Sequence, residues 1–292
     1  MGHLFNNNIN NKKGFSLIEL SIVLIIIGLL VAGITSGLAL VRAARISYGK
    51  KLAYNFSLEF EVSIPTPVLW LDANDNSTVV TDSDDNVSKW RDKSRSGNDA
   101  SQANSANQPS HSLNGFNGRP SIHFNSSNSE WIAADSIGYV ATTSHSYFIV
   151  FNASDNASLN ESAIMGFHTS EGFNAEIIML DTSNNGYIYH QDANRADLVQ
   201  EDRRDLNNIL YVEYDAAAFE AIPYLNGVLK TQIVDGVPAA SALLTIGGEW
   251  DAALMTNFLE GDIAEIIVFD EVLTTIQRQL VEEYLNKKWK VY

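Results

Sequence analysis

The feature that most constrains this chain is an apolar run from Phe15 to Val41. The run has 27 residues, and Glu19 is its single ionisable side chain. Because a helix rises about 1.5 Å per residue, about 20 apolar residues span the hydrocarbon core of a bilayer. The apolar region of a secretory signal peptide is shorter, at ~7–15 residues. The run therefore predicts a transmembrane helix over residues 15–41 and argues against an ordinary secretory signal.

Glu19 sets this helix apart from a plain membrane anchor. A charged side chain in a membrane helix costs ~2.5–3.5 kcal/mol or more on insertion scales, so such a group is expected to have a function and a named partner. Simple anchoring leaves Glu19 unexplained. The sequence therefore predicts a role for this carboxylate beyond holding the chain in a bilayer.

The residues from Lys12 to Leu20, KKGFSLIEL, resemble the prepilin signature of type IV pilins and type II secretion pseudopilins. The resemblance implies that residues 1–14 form a leader, which a prepilin peptidase in the membrane removes by cutting after Gly14. It also implies that Phe15 becomes the new amino terminus and is N-methylated. Glycine suits the cleaved position because, without a Cβ, it lets a protease approach the backbone closely.

The resemblance also implies a partner for the buried glutamate. In pilin-like filaments this residue is thought to neutralise the terminal amine of a neighbouring subunit, so Glu19 would pair with the amine of Phe15 in another copy. Opposite charges in a low dielectric attract strongly, and leaving either one unpaired is costly. The implied partners are thus the peptidase, the inner membrane and other pilin subunits. Lys12 and Lys13 keep the leader cytoplasmic by the positive-inside rule.

The helix is predicted to continue beyond the bilayer. Leu52, Phe56 and Phe60 recur four residues apart, which places them on one face of a helix. Two prolines follow Ser63 and end the pattern. We therefore expect a pilin-like helix over residues 15–63.

Residues 64–292 are predicted to form one all-β domain that closes with a helix. Short runs rich in Val, Ile, Tyr, Phe and Trp alternate with Asn, Asp, Ser and Gly clusters, which is typical of strands and turns. The predicted strands are Val68–Asp72, Val87–Arg91, Ser121–Asn125, Tyr147–Phe151, Glu176–Leu180, Tyr187–His190, Leu210–Tyr214, Ala221–Leu225, Val228–Ile233, Leu244–Ile246 and Ile263–Phe269. Asn226-Gly227 predicts a type I′ hairpin turn. The stretch from Thr274 to Trp289 predicts a terminal helix capped by Thr274.

Both ends of this domain resemble concanavalin A-like, laminin-G-like jelly-roll domains. The matching segments are LWLDA from Leu69, VSKWRDKS from Val87, NGRP from Asn117, GDIAEIIVF from Gly261 and VEEYL from Val281. The resemblance covers roughly residues 65–292. The fold class it implies is a long N-terminal helix followed by a jelly-roll β-sandwich with a short C-terminal helix. Sandwiches of this type serve many functions, so the ligand stays open.

The charge of the chain is unevenly distributed. The formal net charge is −16, yet residues 1–60 hold six Lys and Arg against two acids, so +4, and residues 61–292 carry −20. A head this acidic argues against nucleic acid as a partner, because phosphate binding needs clustered Lys and Arg. The chain has no cysteine, which excludes disulfides and thiolate zinc sites.

The sequence contains no recognisable catalytic arrangement, and we expect no enzyme activity. Sandwich glycosidases place two carboxylates ~5–9.5 Å apart on one face. The nearest candidates, Glu265 and Asp270, are an odd number of positions apart and would face opposite sides of a strand. His123 lies between two apolar residues and is expected to be a sheet-face histidine.

Aromatic rings and amide side chains are suited to binding sugars, and the head has candidates of both kinds. The aromatic candidates are Trp131, Tyr139 and Trp250, and the Asn-rich stretches are 104–107 and 125–128. For each of these aromatic residues taken singly, core packing is the favoured interpretation and a sugar platform is the alternative. The other three tryptophans are expected in the core: Trp70, Trp90 and Trp289. A surface glycan or a protein is the ligand class that these residues predict.

Two acidic loops raise the question of a metal. Asp72 and Asp75 lie in one loop and Asp82 and Asp84 in the next, and clustered oxygen ligands suit calcium. The first cluster begins like an EF-hand loop but lacks its glycine and its bidentate glutamate. Solvated acidic turns are the favoured interpretation. Calcium remains the only candidate cofactor, and none is certain.

Together these features predict a pilin-like structural subunit. It would sit in the bacterial inner membrane and then assemble into a surface filament whose head serves adhesion or ligand binding. Two rivals share the same amino terminus: a periplasmic pseudopilin of a type II secretion system, and a minor tip adhesin with a glycan-binding head. The head exceeds the common domain size of roughly 100–150 residues, which favours a tip position over a repeating one.

Overall fold

The computed structural model describes residues 17–60, 62–135, 137, 143–154, 161–168, 174–181, 188–191, 195–218, 220–234, 243–251 and 254–292. The chain divides into two compact units, Met1–Ala44 and Arg45–Tyr292, and each is described by itself. Gly14 and Phe15, the predicted cleavage residues, lie outside the described residues.

A single helix, α1 (Leu17–Ser57), accounts for the described part of the first unit. Wherever the structure describes the side chains from Leu17 to Val41, they are exposed. The most apolar window of the helix has a mean hydropathy of 2.8, and none of it is buried in protein. By length and composition this helix can cross a membrane, as the sequence predicted.

The helix ends at Ser57, short of the predicted end near Ser63. Directly after Ser57 the amides of Leu58 and Glu59 bond to carbonyls three residues back, which tightens the chain into a turn. The turn brings Phe60 against Trp70, with ring centroids 5.5 Å apart. The packing of Phe60 on Trp70 therefore ends the helix earlier than the spacing of its apolar residues predicted.

The second unit, called the head from here on, is built from short antiparallel strands. The strands among the described residues are β1 (Leu69–Asp72), β2 (Val79–Thr81), β3 (Val87–Trp90), β4 (Ala100–Ser101), β5 (Ser110–Phe116), β6 (Arg119–Phe124), β7 (Ile132–Asp135), β8 (His145–Ala153), β9 (Glu161–His168), β10 (Asn174–Asp181), β11 (Ile188–Gln191), β12 (Arg195–Val199), β13 (Asn207–Asp215), β14 (Glu220–Leu225), β15 (Val228–Leu229), β16 (Ile233–Val234), β17 (Leu243–Ile246), β18 (Glu249–Asp251), β19 (Leu254–Thr256) and β20 (Gly261–Phe269). A helix, α2 (Thr275–Trp289), follows them.

These strands form two large sheets. The first, called the terminal sheet because it contains β1 and β20, has the order β15-β14-β13-β8-β20-β6-β5, with β1 also on β20 and β16 on β14. The opposite sheet has the order β12-β11-β10-β9-β17-β7-β4-β3-β2, and β18 and β19 form a separate hairpin. Two antiparallel sheets packed face to face make a β-sandwich, which confirms the predicted fold class.

Both faces of the terminal sheet are buried. On β8, Tyr147, Ile149 and Phe151 belong to the core between the sheets. Phe148 and Val150 point the other way, into a second core on the outer face of the terminal sheet. A strand buried on both faces is apolar throughout, which is why this segment was recognisable in the sequence.

Two helical segments cover that second core. Residues 45–57 of α1 contribute Ala53 and Phe56, and α2 contributes residues including Val281, Leu285 and Trp289. The head therefore has three layers: the opposite sheet, the terminal sheet and the helices.

The sequence predicted the ends of α2 correctly. Thr274 caps the helix, and its backbone and side chain exchange hydrogen bonds with Gln277 in a capping box. Lys290, in the left-handed conformation with φ 58°, ends it.

Most of the strand predictions are confirmed, with ends shifted by one to three residues. At Asn226 and Gly227 φ is 51° and 77°, as a type I′ turn requires. The predicted strand Val228–Ile233 is instead two short strands, β15 and β16. Of the predicted strand Tyr187–His190, Tyr187 lies outside the described residues. Strands such as β4, β7 and β12 escaped prediction because they are short and rich in Ala, Ser or Asp.

Candidate functional site

The first functional feature is the contact of residues 45–57 of α1 with the rest of the head. We call this contact the aromatic seat. Phe56 stacks on Tyr284 of α2, with ring centroids 4.1 Å apart. Phe56 and Phe60 also meet Trp70 edge to face, at 5.7 and 5.5 Å. Aromatic pairs of this kind stabilise a fold by about 0.5–1.5 kcal/mol each beyond the area that they bury. The periodic aromatics of the sequence therefore serve to fix this helical segment to the sandwich.

Polar contacts reach the backbone of the same segment. Arg119 donates a hydrogen bond of 2.5 Å to the carbonyl of Arg45, and Asn74 donates one of 3.1 Å to the carbonyl of Ile46. A Cβ on Gly49 would lie only 2.5 Å from Nδ2 of Asn74. Gly49 therefore has no room for a side chain. Because a side chain is absent at this position, the buried Asn74 can reach the backbone of the helix.

A cluster of buried charges lies beneath these aromatic rings. Asp72 and Lys288 are fully buried and 2.7 Å apart, and Lys288 is also 2.8 Å from the buried Glu265. Lys93, 15% exposed, lies 2.8 Å from the other oxygen of Asp72. Lys50 of α1 extends the cluster through Asp75, at 3.2 Å. We call Asp72, Lys93, Glu265 and Lys288 the charge cluster.

Glu265 accepts hydrogen bonds from four side chains. The donors are Trp70 Nε1 at 2.7 Å, Tyr284 Oη at 2.5 Å, Lys288 Nζ at 2.8 Å and Trp289 Nε1 at 2.6 Å. These bonds satisfy a carboxylate that would otherwise be costly to bury. They also explain why Trp70 and Trp289 lie in the core, as predicted. Trp90 is also buried, as predicted, but in the core between the two sheets.

The surroundings lower the pKa values of Asp72 and of Asp75, its neighbour beside the charge cluster. Burial alone would raise the pKa of Asp72, but the ammonium groups of Lys288 and Lys93 outweigh it and lower that pKa. Burial would likewise raise the pKa of Asp75, but hydrogen bonds from Ser77 and the charge of Lys93 lower it to about 2. Both aspartates are therefore anions at neutral pH, held by lysines.

The residues proposed as calcium ligands do not converge in the structure. Asp72 and Asp75 pair with lysines, whereas Asp82 accepts hydrogen bonds from the amides of Asp84 and Asn86 within its own turn. Among the residues that the structure describes, no group of three or more acidic or histidine side chains is placed to hold a metal ion. Calcium binding stays a prediction.

The predicted sugar-binding tryptophans are both partly exposed and lie near one another. A Cβ on Gly248 would lie 2.7 Å from Cε of Met255 and 3.3 Å from Cβ of Trp131, so both residues lie beside this glycine. Trp250 is the cross-strand partner of Met255 in the β18–β19 hairpin. Trp131 therefore lies close to the hairpin that carries Trp250. Tyr139, the third candidate, lies outside the described residues.

Both Asn-rich stretches lie beside Trp131. Asn107 accepts a bond of 3.1 Å from the amide of Trp131, and its side chain donates one of 2.9 Å to the carbonyl of Ser129. Glu130 is buried and holds the second stretch through bonds from the Asn125 amide and the Asn128 side chain. We call residues 104–107, 125–131 and the β18–β19 hairpin the tryptophan rim. Sequence alone could not show that these separate segments meet.

A polar depression lies over the outer edge of the terminal sheet. It has a volume of about 440 Å³ and is lined by residues that include Asp84, His111, His123 and Asp262. His123 Nδ1 is 3.5 Å from a carboxylate oxygen of Asp262. The hydrogen bond with Asp262 raises the pKa of His123. His123 is thus a sheet-face histidine, as predicted.

Glu265 and Asp270, the nearest pair of candidate carboxylates, are kept apart. Glu265 is fully buried in β20, and Asp270 is exposed just beyond the end of that strand. The structure assigns Glu265 to the charge cluster.

Comparison with known proteins bears first on the amino-terminal segment. Residues 9–35 match the family model of the prokaryotic N-terminal methylation motif. This match confirms the motif that the sequence suggested. No curated protein matches this chain by sequence.

Solved structures resemble the chain at low sequence identity. Trypanosoma rangeli sialidase in complex with the inhibitor DANA has a TM-score of 0.53 and 13% identity, over 78% of this chain and 34% of the sialidase. The CBM40 of Ruminococcus gnavus IT-sialidase, bound to α2,3-sialyllactose, has a TM-score of 0.40 and 12% identity, over 51% of this chain and 85% of that domain. A native heptameric SAP-like pentraxin from Limulus polyphemus scores 0.39 at 16% identity, over 46% of this chain and 67% of its own. The first of these likenesses supports the sandwich fold.

Proposed function

We propose that this chain is a type IV pilin-like subunit, which assembles into a surface filament through α1 and displays the sandwich as its head. The observation that carries the proposal is the methylation motif at residues 9–35. It stands at the start of a helix of 41 residues whose apolar part has no covering in the protein. A subunit held in a bilayer and then packed among other helices needs such an uncovered surface.

Glu19 is the residue that would set the register between subunits. After cleavage behind Gly14, the amine of Phe15 would be four residues from Glu19 along its own chain, and in a filament it would pair with Glu19 of a neighbour. Either charge alone is costly in a low dielectric, so pairing them favours one relative position of two helices. This role rests on the motif and on the chemistry of the two groups.

For the head, we propose that the tryptophan rim binds a surface glycan. The rim combines two partly exposed indoles with two Asn-rich loops, one of which is held in place by the buried Glu130. Indole faces pack on the apolar faces of sugar rings, while amides exchange hydrogen bonds with hydroxyl groups. Positioned residues lose less conformational freedom on binding, which favours affinity.

The experiment expresses the full chain in a bacterium that has a prepilin peptidase and filament machinery, and then shears the cell surface. A pilin-like subunit is recovered in the sheared filaments, and a Gly14→Leu variant stays in the membrane with its leader. Abundance along the filament separates a major subunit from a tip adhesin. Recovery from the cell envelope alone would instead identify a pseudopilin of a secretion system.

A further inference from the structure

The charge cluster places an amine against a carboxylate in a dry environment. Nζ of Lys288 is 2.7 Å from Oδ1 of Asp72 and 2.8 Å from Oε2 of Glu265, and all three side chains have no exposed surface. The rings of Trp70 and Tyr284 close the site beside Glu265. The groups that could form an amide are therefore in contact and shielded from water.

Two physical effects favour a reaction between them. Groups held in reactive geometry attain effective concentrations of about 10⁵–10⁸ M, far beyond what free reactants reach. Buried charges also carry a desolvation cost of several kcal/mol per ion, which disappears when an ammonium and a carboxylate become a neutral amide. Both effects act on Lys288 and Asp72 as soon as the head folds.

We propose that Lys288 and Asp72 join in an intramolecular isopeptide bond, with Glu265 as the proton carrier. Glu265 takes one proton from the Lys288 ammonium, and the freed Nζ forms a bond to Cγ of Asp72. The C–Oδ1 bond then breaks. Oδ1 leaves as water with the proton from Glu265 and a second proton from Nζ. One ammonium and one carboxylate give one amide and one water, and nothing else is consumed.

Lys93 assists the step and stays out of the bond. Its Nζ lies 2.8 Å from Oδ2 of Asp72, where it stabilises the negative charge that builds on this oxygen during the attack. Lys93 is 15% exposed, so water competes for its ammonium, whereas Lys288 is fully buried. The structure thus distinguishes the nucleophile from the stabilising cation.

The surroundings also suit the product. The amide N–H of Lys288 can donate to Glu265, and the carbonyl left by Asp72 can accept from Lys93, both through contacts that already exist. The cluster changes from two cations and two anions to one of each, so it remains neutral. Glu265 keeps its three other donors.

The bond would tie β1, the first strand of the head, to α2, its last helix. The aromatic seat of α1 rests on these two elements, through Trp70 and Tyr284. A covalent link between β1 and α2 would keep these two ends of the head together when a force acts on the head by way of α1. This inference does not depend on the proposed filament or on glycan binding.

The test is the intact mass of the purified, folded full-length chain, followed by protease digestion and tandem mass spectrometry. The proposal predicts a mass lower by one water and a branched peptide that joins Asp72 to Lys288. A Lys288→Arg variant keeps the charge but cannot form the bond, so it should fold and show the full mass.

Three results would overturn the proposal. The first is the full mass in the folded parent protein, and the second is a lost water that maps to another site, such as a succinimide. The third is a branched peptide that contains Lys93 in place of Lys288. Because the parent protein itself gives the answer, a variant that fails to fold does not affect the test.

Discussion

Phe56 of the long helix and Tyr284 of the terminal helix stack with their ring planes 1° from parallel and their centroids 4.1 Å apart. This contact joins the segment that follows the apolar run to the last element of the sandwich. Residues 45–57 therefore pack within the head, although they are part of the same helix as the apolar run.

Replacing Phe56 tests how much this seat contributes. Phe56→Ala leaves a cavity among Trp70, Phe60 and Tyr284, and such truncations typically cost about 3–5 kcal/mol. We expect the free energy of unfolding of residues 45–292, measured with urea, to fall by that amount. Tyr54→Ala is the matched control, because Tyr54 is 65% exposed on the same helix and should change stability by less than about 0.5 kcal/mol. Equal effects of the two changes would show that the seat is not a stabilising contact.

Gly49 should tolerate no side chain. A methyl group there meets the side chain of Asn74 at 2.5 Å, so Gly49→Ala should destabilise the head by about 1–3 kcal/mol despite a better helix propensity. The check is a double-mutant cycle by urea denaturation. If the clash is the cause, adding Asn74→Ala should recover part of the loss. Strictly additive effects would contradict it.

Asp75, which lies beside the charge cluster, should make the head sensitive to acid. The pKa of Asp75 in the fold, about 2, lies below the ordinary value of 3.8. The carboxylate therefore stabilises the fold above that ordinary value, and this stability is lost as the pH falls towards 2. Asp75 is partly exposed, so we expect Asp75→Asn to cost about 1–2 kcal/mol at pH 6.

The pH series for that prediction compares the unfolding free energies of parent and variant from pH 6 down to pH 2. The difference between the two should shrink steadily below pH 4. A constant difference across the series would show that the charge of Asp75 contributes nothing.

The tryptophan rim should account for glycan binding by the head. On a glycan array, followed by calorimetry with the best ligand, Trp131→Ala and Trp250→Ala should each weaken binding about tenfold, or about 1.4 kcal/mol. Tyr292→Ala is the control, since Tyr292 is exposed but lies outside the rim. Binding that survives both tryptophan changes would place the ligand elsewhere.

Glu19 should matter for assembly but not for processing. Glu19→Ala should be inserted and cleaved normally yet give no filaments, because the neighbouring amine then lacks its counter-charge. The yield of sheared filaments measures this effect. Glu59→Ala is the control, because Glu59 is an exposed acid just after α1. A normal filament yield from Glu19→Ala would contradict the role.

Features encoded by neighbouring residues were predictable from sequence. The apolar run, the Thr274 cap and the Asn226-Gly227 turn each depend on a few adjacent residues, so their structures follow from local chemistry. The end of α1 was predicted too late, because packing of Phe60 on Trp70 decides where the helix stops.

Features that join distant segments were not predictable. In the sequence the first acid after the strand of Glu265 is Asp270, whereas the fold pairs Glu265 with Lys288 and places Asp72 beside them. Likewise the sequence offers the two Asn-rich loops and Trp131 only as separate candidates. The fold brings them together in one rim. Such clusters depend on strand order, which the pattern of a single sequence does not specify.

The most direct test of the pilin-like assignment is the amino terminus of the protein recovered from cells that contain a prepilin peptidase. Mass spectrometry of the first peptide should show a chain that starts at N-methylated Phe15, with residues 1–14 absent. A chain that still begins at Met1, or one cut beyond the apolar run, would contradict the assignment.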